Sequence, residues 1–115
     1  MALTYLTIKL ANPEQPKKTF KRKFLVDSGA VYSVMPKKIL ESLGVKPIDK
    51  QEFILANGES VVKNIGQVKI EIFNKERTVP IIFGNEGIFL LGATTLENFG
   101  MMLDPLKREI RPLPM

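Results

Sequence analysis

The sequence predicts a small, mainly β domain, a closed β-barrel or folded sheet with one or two short helices. Three observations predict it: apolar residues that alternate with polar ones, turn residues that separate these short stretches, and a length that suits one domain. The chain has 115 residues, of which 44% are hydrophobic and 25% are charged. These values are ordinary for a soluble globular protein, and we expect residues 1–115 to form a single domain.

The first two strands are predicted from alternation and from an apolar run. Leu6, Ile8 and Leu10 alternate with polar residues, which is typical of a half-buried strand. Residues 12–16 contain two prolines and predict a turn or loop. A second strand is predicted from Phe20 to Val26, where it ends in three consecutive apolar residues.

A helix is predicted after this strand. Proline is favoured at the first position of a helix, and Pro36 can take that position. Ile39, Leu40 and Leu43 lie on one face of the predicted helix. Gly44 suits the cap at its C-terminal end.

The rest of the chain predicts further strands joined by turns, and one more short helix. Asn57-Gly58 lies between two strand-like runs and is a strong hairpin signal. The unbroken apolar run Ile88–Leu91 predicts a strand buried on both faces. The remaining predicted elements are strands at 53–56, 60–62, 68–72 and 79–83, a turn at 74–75, a loop at 84–87, a helix at about 94–99 closing at Gly100, and a last hairpin of 101–103 and 109–111.

Two missing residue types limit the possible chemistry. The chain contains no Cys and no His. Their absence excludes disulfides, thiolate nucleophiles, zinc sites built on Cys or His, and Ser-His-Asp catalysis. A hydrolase of this composition must use carboxylates, lysine or tyrosine as its acid and base.

The net charge of +5 mainly indicates solubility, and it is only weak evidence for an anionic partner. Five basic residues lie between Lys17 and Lys23, where we expect a solvated loop and strand edge. A basic β-barrel that binds nucleic acid is a weaker alternative, because few aromatic residues remain for base stacking. The start of the chain lacks signal-peptide features and no apolar run reaches the ~18 residues of a membrane span. We therefore expect a cytoplasmic protein without nucleic-acid or membrane partners.

Asp27 is the candidate catalytic residue, because it directly follows an apolar strand and opens the turn Asp27-Ser28-Gly29. Taken alone, this tripeptide is typical of an ordinary turn. Residues 24–36, FLVDSGAVYSVMP, resemble the active-site signature of aspartic proteases, and Leu90-Leu91-Gly92 resembles their second signature. The order of signature, glycine-tipped hairpin, apolar-apolar-Gly, short helix and final strand also matches. From about Phe20 to Leu113, the chain resembles a retropepsin-like aspartic protease, the single-lobe retroviral type.

The resemblance implies a barrel of the retropepsin type and an aspartic endopeptidase that cleaves extended polypeptides. Each chain has one Asp-Ser-Gly, and neither Asp49 nor Asp104 has that context. The resemblance therefore implies a homodimer in which one Asp27 from each chain activates a water molecule. It implies a peptide or protein substrate, and no metal or other cofactor. A non-catalytic binding or regulatory module of the same fold is the alternative.

The resemblance also implies three groups of supporting residues. The first supports Asp27, the second forms the tip of a flap over the substrate, and the third packs beneath the active-site loops and shapes the pocket wall. They are, in this order, Ser28, Gly29 and Ala30; Ala56, Asn57 and Gly58; and Leu90, Leu91 and Gly92. A pocket lined by Leu55, Ile81, Phe83 and Leu91 would favour apolar side chains beside the cut.

Two departures from the viral pattern concern the dimer. Viral members have an acidic residue after the first signature and an arginine after the second, and these residues pair. Here the positions hold Val31 and Ala93, so we expect apolar contacts to brace the dimer. Pro112 and Pro114 lack the backbone donors that an interdigitated terminal sheet of the viral kind would need.

Overall fold

Strands dominate the computed structural model, which describes residues 3–104, 106–107 and 109–113. The elements are β1 (Tyr5–Asn12), β2 (Gln15–Val26), β3 (Ser33–Pro36), α1 (Lys37–Ser42), β4 (Asp49–Ile54), β5 (Ser60–Ile72), β6 (Lys75–Gly84), β7 (Leu90–Leu91), α2 (Ala93–Asn98), β8 (Met101–Asp104) and β9 (Glu109–Pro112). The predicted mainly β class with two short helices is confirmed. Neither helix in these residues is long and apolar enough to cross a membrane.

Seven strands form one sheet in the order β1-β2-β7-β3-β6-β5-β4, and β8 pairs with β9 separately. Because β1 also pairs with β5, the pairings run in a full circle through β1, β2, β7, β3, β6 and β5. This circle is compatible with the predicted barrel. The β2–β7 and β3–β6 pairs are parallel. The β2–β7 pair brings the end of β2 beside β7, where the candidate site lies.

The turn between β1 and β2 is tighter than the predicted loop at 12–16. Pro13 and Glu14 alone separate the strands, and the Asn12 side chain accepts a hydrogen bond from the Glu14 N–H at 3.0 Å. β2 therefore begins at Gln15 and not at Phe20. Its first five side chains are exposed, so this part of the strand has no apolar alternation to mark it.

Helix α1 ends as predicted, with Gly44 just beyond its last turn. Gly44 has φ +79° and donates to the Glu41 carbonyl at 2.9 Å, while Val45 donates to the Leu40 carbonyl at 3.0 Å. This pair of bonds is a Schellman motif. Pro36 differs from its predicted place in the first helical turn: its ψ of 135° is extended, and it ends β3.

The strands β5 and β6 form a long hairpin, and its turn differs by one residue from the predicted one. Phe73 and Asn74 form the turn, with φ of 51° and 65°, and Ile72 pairs with Lys75. Positive φ at both central residues matches the twist of the flanking strands. Phe73 thus takes a conformation that bulky residues adopt only rarely.

The apolar run Ile88–Leu91 forms a shorter strand than predicted, and it is not buried on both faces. Only Leu90 and Leu91 are paired, and Ile88 is 42% exposed. Leu90 is held between Leu25 of β2 and Val34 of β3.

One apolar core lies inside the circle of strands. Its most deeply buried side chains come from β1, β2, β3, β5, β6 and β7 and from helix α1. They include Ile8, Leu10, Phe24, Met35, Leu40, Val68, Ile70, Val79, Ile81 and Leu91. This core fixes the ends of β2 and β7, from which the candidate site projects.

Candidate active site

Asp27 lies one residue beyond the end of β2, and its backbone continues the ladder to β7. Its N–H donates to the Leu91 carbonyl at 2.9 Å, and the Leu25 N–H donates to the Phe89 carbonyl at 3.0 Å. The residue before it, Val26, donates to the Thr4 carbonyl at 2.8 Å. The backbone at Asp27 is thus fixed from two sides, while its side chain is only half-buried.

The turn that follows holds the carboxylate. The Gly29 N–H donates to Oδ1 of Asp27 at 2.9 Å, and the Ala30 N–H donates to the Asp27 carbonyl at 3.1 Å. A Cβ on Gly29 would lie 3.2 Å from Oδ1, tighter than an ordinary contact. Ser28 and Gly29 are exposed and Ala30 is half-buried. The predicted turn therefore presents an oriented carboxylate beside an accessible stretch of backbone.

Beneath this turn lies the start of α2. Ala93 donates its N–H to the Ala30 carbonyl at 2.7 Å, and Thr94 donates to the Val31 carbonyl at 2.9 Å. Gly92 allows this close approach, because a Cβ there would lie 2.6 Å from the Tyr32 backbone and 2.9 Å from the Ala30 oxygen. Its φ of −94° and ψ of 176° suit any residue, so space alone explains the glycine.

A buried hydroxyl pair supports the same contact. Oγ of Ser33 lies 2.6 Å from Oγ1 of Thr95, and it accepts a hydrogen bond from the Gly92 N–H at 3.0 Å. Both side chains have no exposed surface. Ser33 belongs to the predicted signature, but Thr95 lies outside every motif of the sequence. The two residues are 62 positions apart, so no local pattern connects them.

Residues 56–58 lie at the exposed tip of the hairpin formed by β4 and β5. The Gly58 N–H donates to the Leu55 carbonyl at 2.9 Å, and the Leu55 N–H donates to the Glu59 carbonyl at 2.7 Å. Asn57 Oδ1 accepts a hydrogen bond from the Glu59 N–H at 3.0 Å. Gly58 has φ +88°, so the tip is a three-residue loop ending in a left-handed residue. In the described chain, no hydrogen bond joins this tip to the turn at Asp27.

The second signature packs against the first. Leu90 and Leu91 pair with the last two residues of β2; Leu90 is half-buried and Leu91 has no exposed surface. The wider apolar pocket predicted from Leu55, Ile81, Phe83 and Leu91 is not formed. Ile81, Phe83 and Leu91 belong to the buried core, and only Leu55 is exposed. Alternation along β6 could not reveal this, because successive residues of this strand are buried on both of its faces.

The departures from the viral pattern lie beside the turn. Val31 is 62% exposed, and Ala93 is the first residue of α2. Pro112 is the last residue of β9 and pairs with Met101, so β8 and β9 form a hairpin within one chain. Pro114 lies outside the described residues.

The carboxylate of Asp104 is bound by groups of its own hairpin, formed by β8 and β9. Its Oδ1 accepts hydrogen bonds from the N–H groups of Leu106 and Lys107, and its Oδ2 lies 3.0 Å from the Arg111 guanidinium. These contacts, with the Lys107 hydrogen bond first, lower the pKa of Asp104 below its ordinary value of 3.8. Its carboxylate thus has a structural role. Within the described residues, no three Asp, Glu, His or Cys side chains are grouped as a metal site would require.

Comparisons with known proteins identify a family and a similar fold. A family model described as gag-polyprotein putative aspartyl protease matches residues 18–98. The solution structure of the simian foamy virus (mac) protease matches with a TM-score of 0.56 and 15% sequence identity, over 79% of this chain and 91% of that chain. No curated protein sequence matches significantly. The structural match establishes a similar fold, and the family match covers both the Asp27 turn and the second signature.

Proposed function

This chain belongs to the family of gag-polyprotein putative aspartyl proteases, and on that premise we propose that it is an aspartic endopeptidase acting as a homodimer. One observation supports this most directly. The Asp27 carboxylate is oriented by the Gly29 N–H at 2.9 Å, on a turn whose Ser28 and Gly29 are exposed. An oriented, accessible carboxylate is what water activation requires.

A second chain is needed, because each chain supplies one such carboxylate. Two copies related by a two-fold axis would bring two Asp27 side chains to one site. Two carboxylates about 3 Å apart cannot both ionise at low cost, so the pair would hold one proton. The apparent pKa values then belong to the pair and to neither residue alone.

The shared proton defines the reaction. The ionised Asp27 accepts a proton from a water molecule between the two carboxylates, while the protonated Asp27 donates a hydrogen bond to the scissile carbonyl. The water oxygen bonds to the carbonyl carbon while the protonated Asp27 transfers its proton to the carbonyl oxygen, which gives a gem-diol. The C–N bond then breaks, the nitrogen takes a proton from the carboxylate that had received it, and the other carboxylate regains its own. Products are a free acid and a free amine.

We propose that the substrate is an extended peptide between the Asp27 turns and the β4–β5 hairpins. Hairpin tips such as Ala56-Asn57-Gly58 bind extended chains through backbone hydrogen bonds and exclude water when they close. Ile54 and Leu55 on this hairpin are 69% and 42% exposed. Leu90 is half-buried and pairs with Leu25, two residues before Asp27. These residues support a preference for apolar side chains beside the cut.

The proposed dimer face surrounds Ser28. A cavity of about 240 Å³ is lined by Ser28, by residues 101–103 of β8, by helix α2 and by Leu113. Val31 is 62% exposed, and Met102 is 37% exposed. Since Val31 and Ala93 replace the viral ion pair, apolar contacts across this face would brace the dimer.

The test is cleavage of a mixed peptide library between about pH 4 and 7, over a range of protein concentrations. We expect a bell-shaped pH profile on the acidic side of neutral and a rate that rises faster than linearly with protein. Asp27→Asn should lower cleavage at least about a hundredfold, because it removes the acid and base of the pair. Asp49→Asn is the matched control: Asp49 is exposed and its Oδ1 accepts only the neighbouring Lys50 N–H among the described residues.

Two outcomes would contradict the proposal. Cleavage that survives Asp27→Asn would exclude Asp27 as the catalytic residue. No cleavage at any concentration, from protein with a native circular-dichroism spectrum, would favour the non-catalytic binding module.

A further inference from the structure

A second site is formed by a cavity of about 430 Å³ between β2, the start of α1 and the loop after β6. Arg22, Lys37, Lys38, Glu86 and Phe89 contribute to its lining. None of the residues proposed for catalysis, for the flap or for the pocket wall lines it. We call it the basic cavity.

The basic cavity has an excess of positive charge. Arg22, Lys37 and Lys38 are exposed, and Glu86 is the carboxylate among the lining residues. The ion pairs found in the described chain, Lys69–Glu76 and Arg111–Asp104, involve none of these cations. Three cations and one carboxylate leave the lining with a net positive charge, which favours an anionic ligand.

The Arg22 guanidinium is held in place by an aromatic ring. It lies 4.4 Å from the centre of the Phe89 ring, a cation–π contact. Phe89 also stacks on Phe20 with ring centres 6.2 Å apart, and it meets the buried Phe24 edge-on at 5.4 Å. A fixed guanidinium loses little freedom when it binds a carboxylate with two parallel hydrogen bonds.

Apolar surface lies next to these cations. Phe89 and Ile39 are half-buried and line the cavity together with Pro36. A ligand that fills the cavity therefore needs both negative charge and an apolar group. The Phe89 ring is a poor platform for a nucleic-acid base, because Arg22, Phe20 and Phe24 already contact it. Glu86 also disfavours RNA or DNA, because its carboxylate would repel a backbone that carries one phosphate per nucleotide.

We propose that the basic cavity binds an acidic peptide segment that carries an apolar side chain. Glutamates or aspartates of the segment would bind Arg22, Lys37 and Lys38, and the apolar side chain would pack on Ile39. Glu86 can accept a hydrogen bond from a backbone N–H of the segment. Peptides combine these groups at the spacing of a few ångströms that a cavity of this size requires.

The cavity lies outside the proposed cleavage site. Arg22 precedes Asp27 by five residues. In extended backbone such as β2, five residues span about 16 Å. The bound segment would therefore be a remote part of a protein substrate, and binding it would raise the local concentration of the scissile bond. This last step rests on the proposed function, whereas binding of the segment does not.

Binding is tested with the Asp27→Asn protein and a fluorescein-labelled decapeptide. The peptide has one leucine with two glutamates on each side of it, and its other residues are glycine and serine. We expect fluorescence anisotropy to give a Kd at least about tenfold lower than for the same peptide with glutamines, with weaker binding at high salt. The double variant Lys37→Glu/Lys38→Glu should raise the Kd at least about tenfold. Arg22→Gln should raise it as well, without changing the fold.

The matched control is Lys17→Glu/Lys75→Glu, which changes the net charge equally at exposed lysines that do not line the cavity. Equal Kd values for the glutamate and glutamine peptides would overturn the proposal. So would an equal effect of the two double variants, or displacement of the peptide by an equal concentration of single-stranded RNA.

Cleavage then distinguishes the two proposals. For a cleavable peptide extended by the acidic segment, we expect Lys37→Glu/Lys38→Glu to raise KM and to leave kcat unchanged. Intact peptide binding without any cleavage would overturn the proposed protease and keep the acidic-peptide site. Cleavage with an unchanged KM would overturn the remote substrate site and keep the protease.

Discussion

At the scale of the residue, Ser33 joins the two signatures. Its hydroxyl accepts the Gly92 N–H and lies 2.6 Å from Oγ1 of Thr95, with both side chains fully buried. Buried polar groups without hydrogen-bond partners destabilise the folded state. The Gly92 N–H and the Thr95 hydroxyl therefore both need the Ser33 hydroxyl as their partner. The hydroxyl residue of the first signature therefore supports the Asp27 turn from below.

We expect Ser33→Ala to lower the free energy of unfolding by about 1–3 kcal/mol, because it leaves the Gly92 N–H and the Thr95 hydroxyl unpaired. Urea unfolding measures this change. Ser42→Ala is the control, since the Ser42 hydroxyl donates to the Ile39 carbonyl on the exposed side of α1. Ser42→Ala should change the free energy of unfolding by less than about 0.5 kcal/mol. Similar values for both variants would contradict a role for the buried pair.

The sequence was informative for residues whose neighbours along the chain define their role. Asp27, Ser28 and Gly29 form a local turn, and their composition alone predicts that turn. Thr95 could not be predicted in the same way. Its partner is 62 residues away, and a threonine in a short helix has no local feature that marks it as buried.

At the scale of the element, hairpins were easier to predict than the strands between them. The glycine tip at Gly58 was predicted from local residues, but β3 was not predicted as a strand. Its four residues pair in parallel with residues 81–84 of β6, so a distant partner makes it a strand. The exposed first half of β2 likewise lacks the apolar alternation that pattern analysis needs.

The hairpin of β8 and β9 is stabilised by Asp104, and its stability should depend on pH. Hydrogen bonding to the Lys107 N–H and then to Arg111 lowers the pKa of Asp104 below 3.8. A carboxyl whose pKa is lowered by folding stabilises the folded state above its ordinary pKa, and this stabilisation is lost as the pH falls through the lowered value. We expect amide hydrogen exchange of Leu106 and Lys107 to accelerate below about pH 4, beyond the intrinsic change.

Asp104→Asn should remove that pH dependence and leave the two amides less protected at neutral pH. Glu59→Gln, at an exposed residue of the β4–β5 hairpin, is the control and should leave the protection of both amides unchanged. Protection that is independent of both pH and Asp104 would show that backbone pairing alone holds the hairpin.

At the scale of the whole molecule, the strand order could not be read from hydrophobic patterns. The circle of pairings depends on β1 with β5 and on the parallel pairs β2–β7 and β3–β6. Local sequence specifies none of these contacts. The resemblance predicted the mainly β retropepsin-like fold because it compares the order of motifs over nearly the whole chain.

A single substitution that introduces a charge tests the proposed dimer face. We expect Met102→Glu to raise the dimer dissociation constant at least about tenfold, because two like charges would meet near the two-fold axis. Sedimentation equilibrium measures this constant. Ile48→Glu, at a residue that is 65% exposed and lines a different cavity, is the control. A dimer weakened equally by both variants, or by neither, would place the interface elsewhere.

The parallel pairing of β2 with β7 also has a consequence for the timing of activity during synthesis. Asp27 and Ser28 leave the ribosome before the groups that fix their turn, which belong to Leu91, Gly92, Ala93 and Thr94. Contacts between distant residues form late in folding, since a long loop must close first. A nascent chain that ends before residue 90 therefore contains the turn Asp27-Ser28-Gly29 without these contacts. The proposed protease would remain inactive until residues 91–94 have been translated and have left the ribosome.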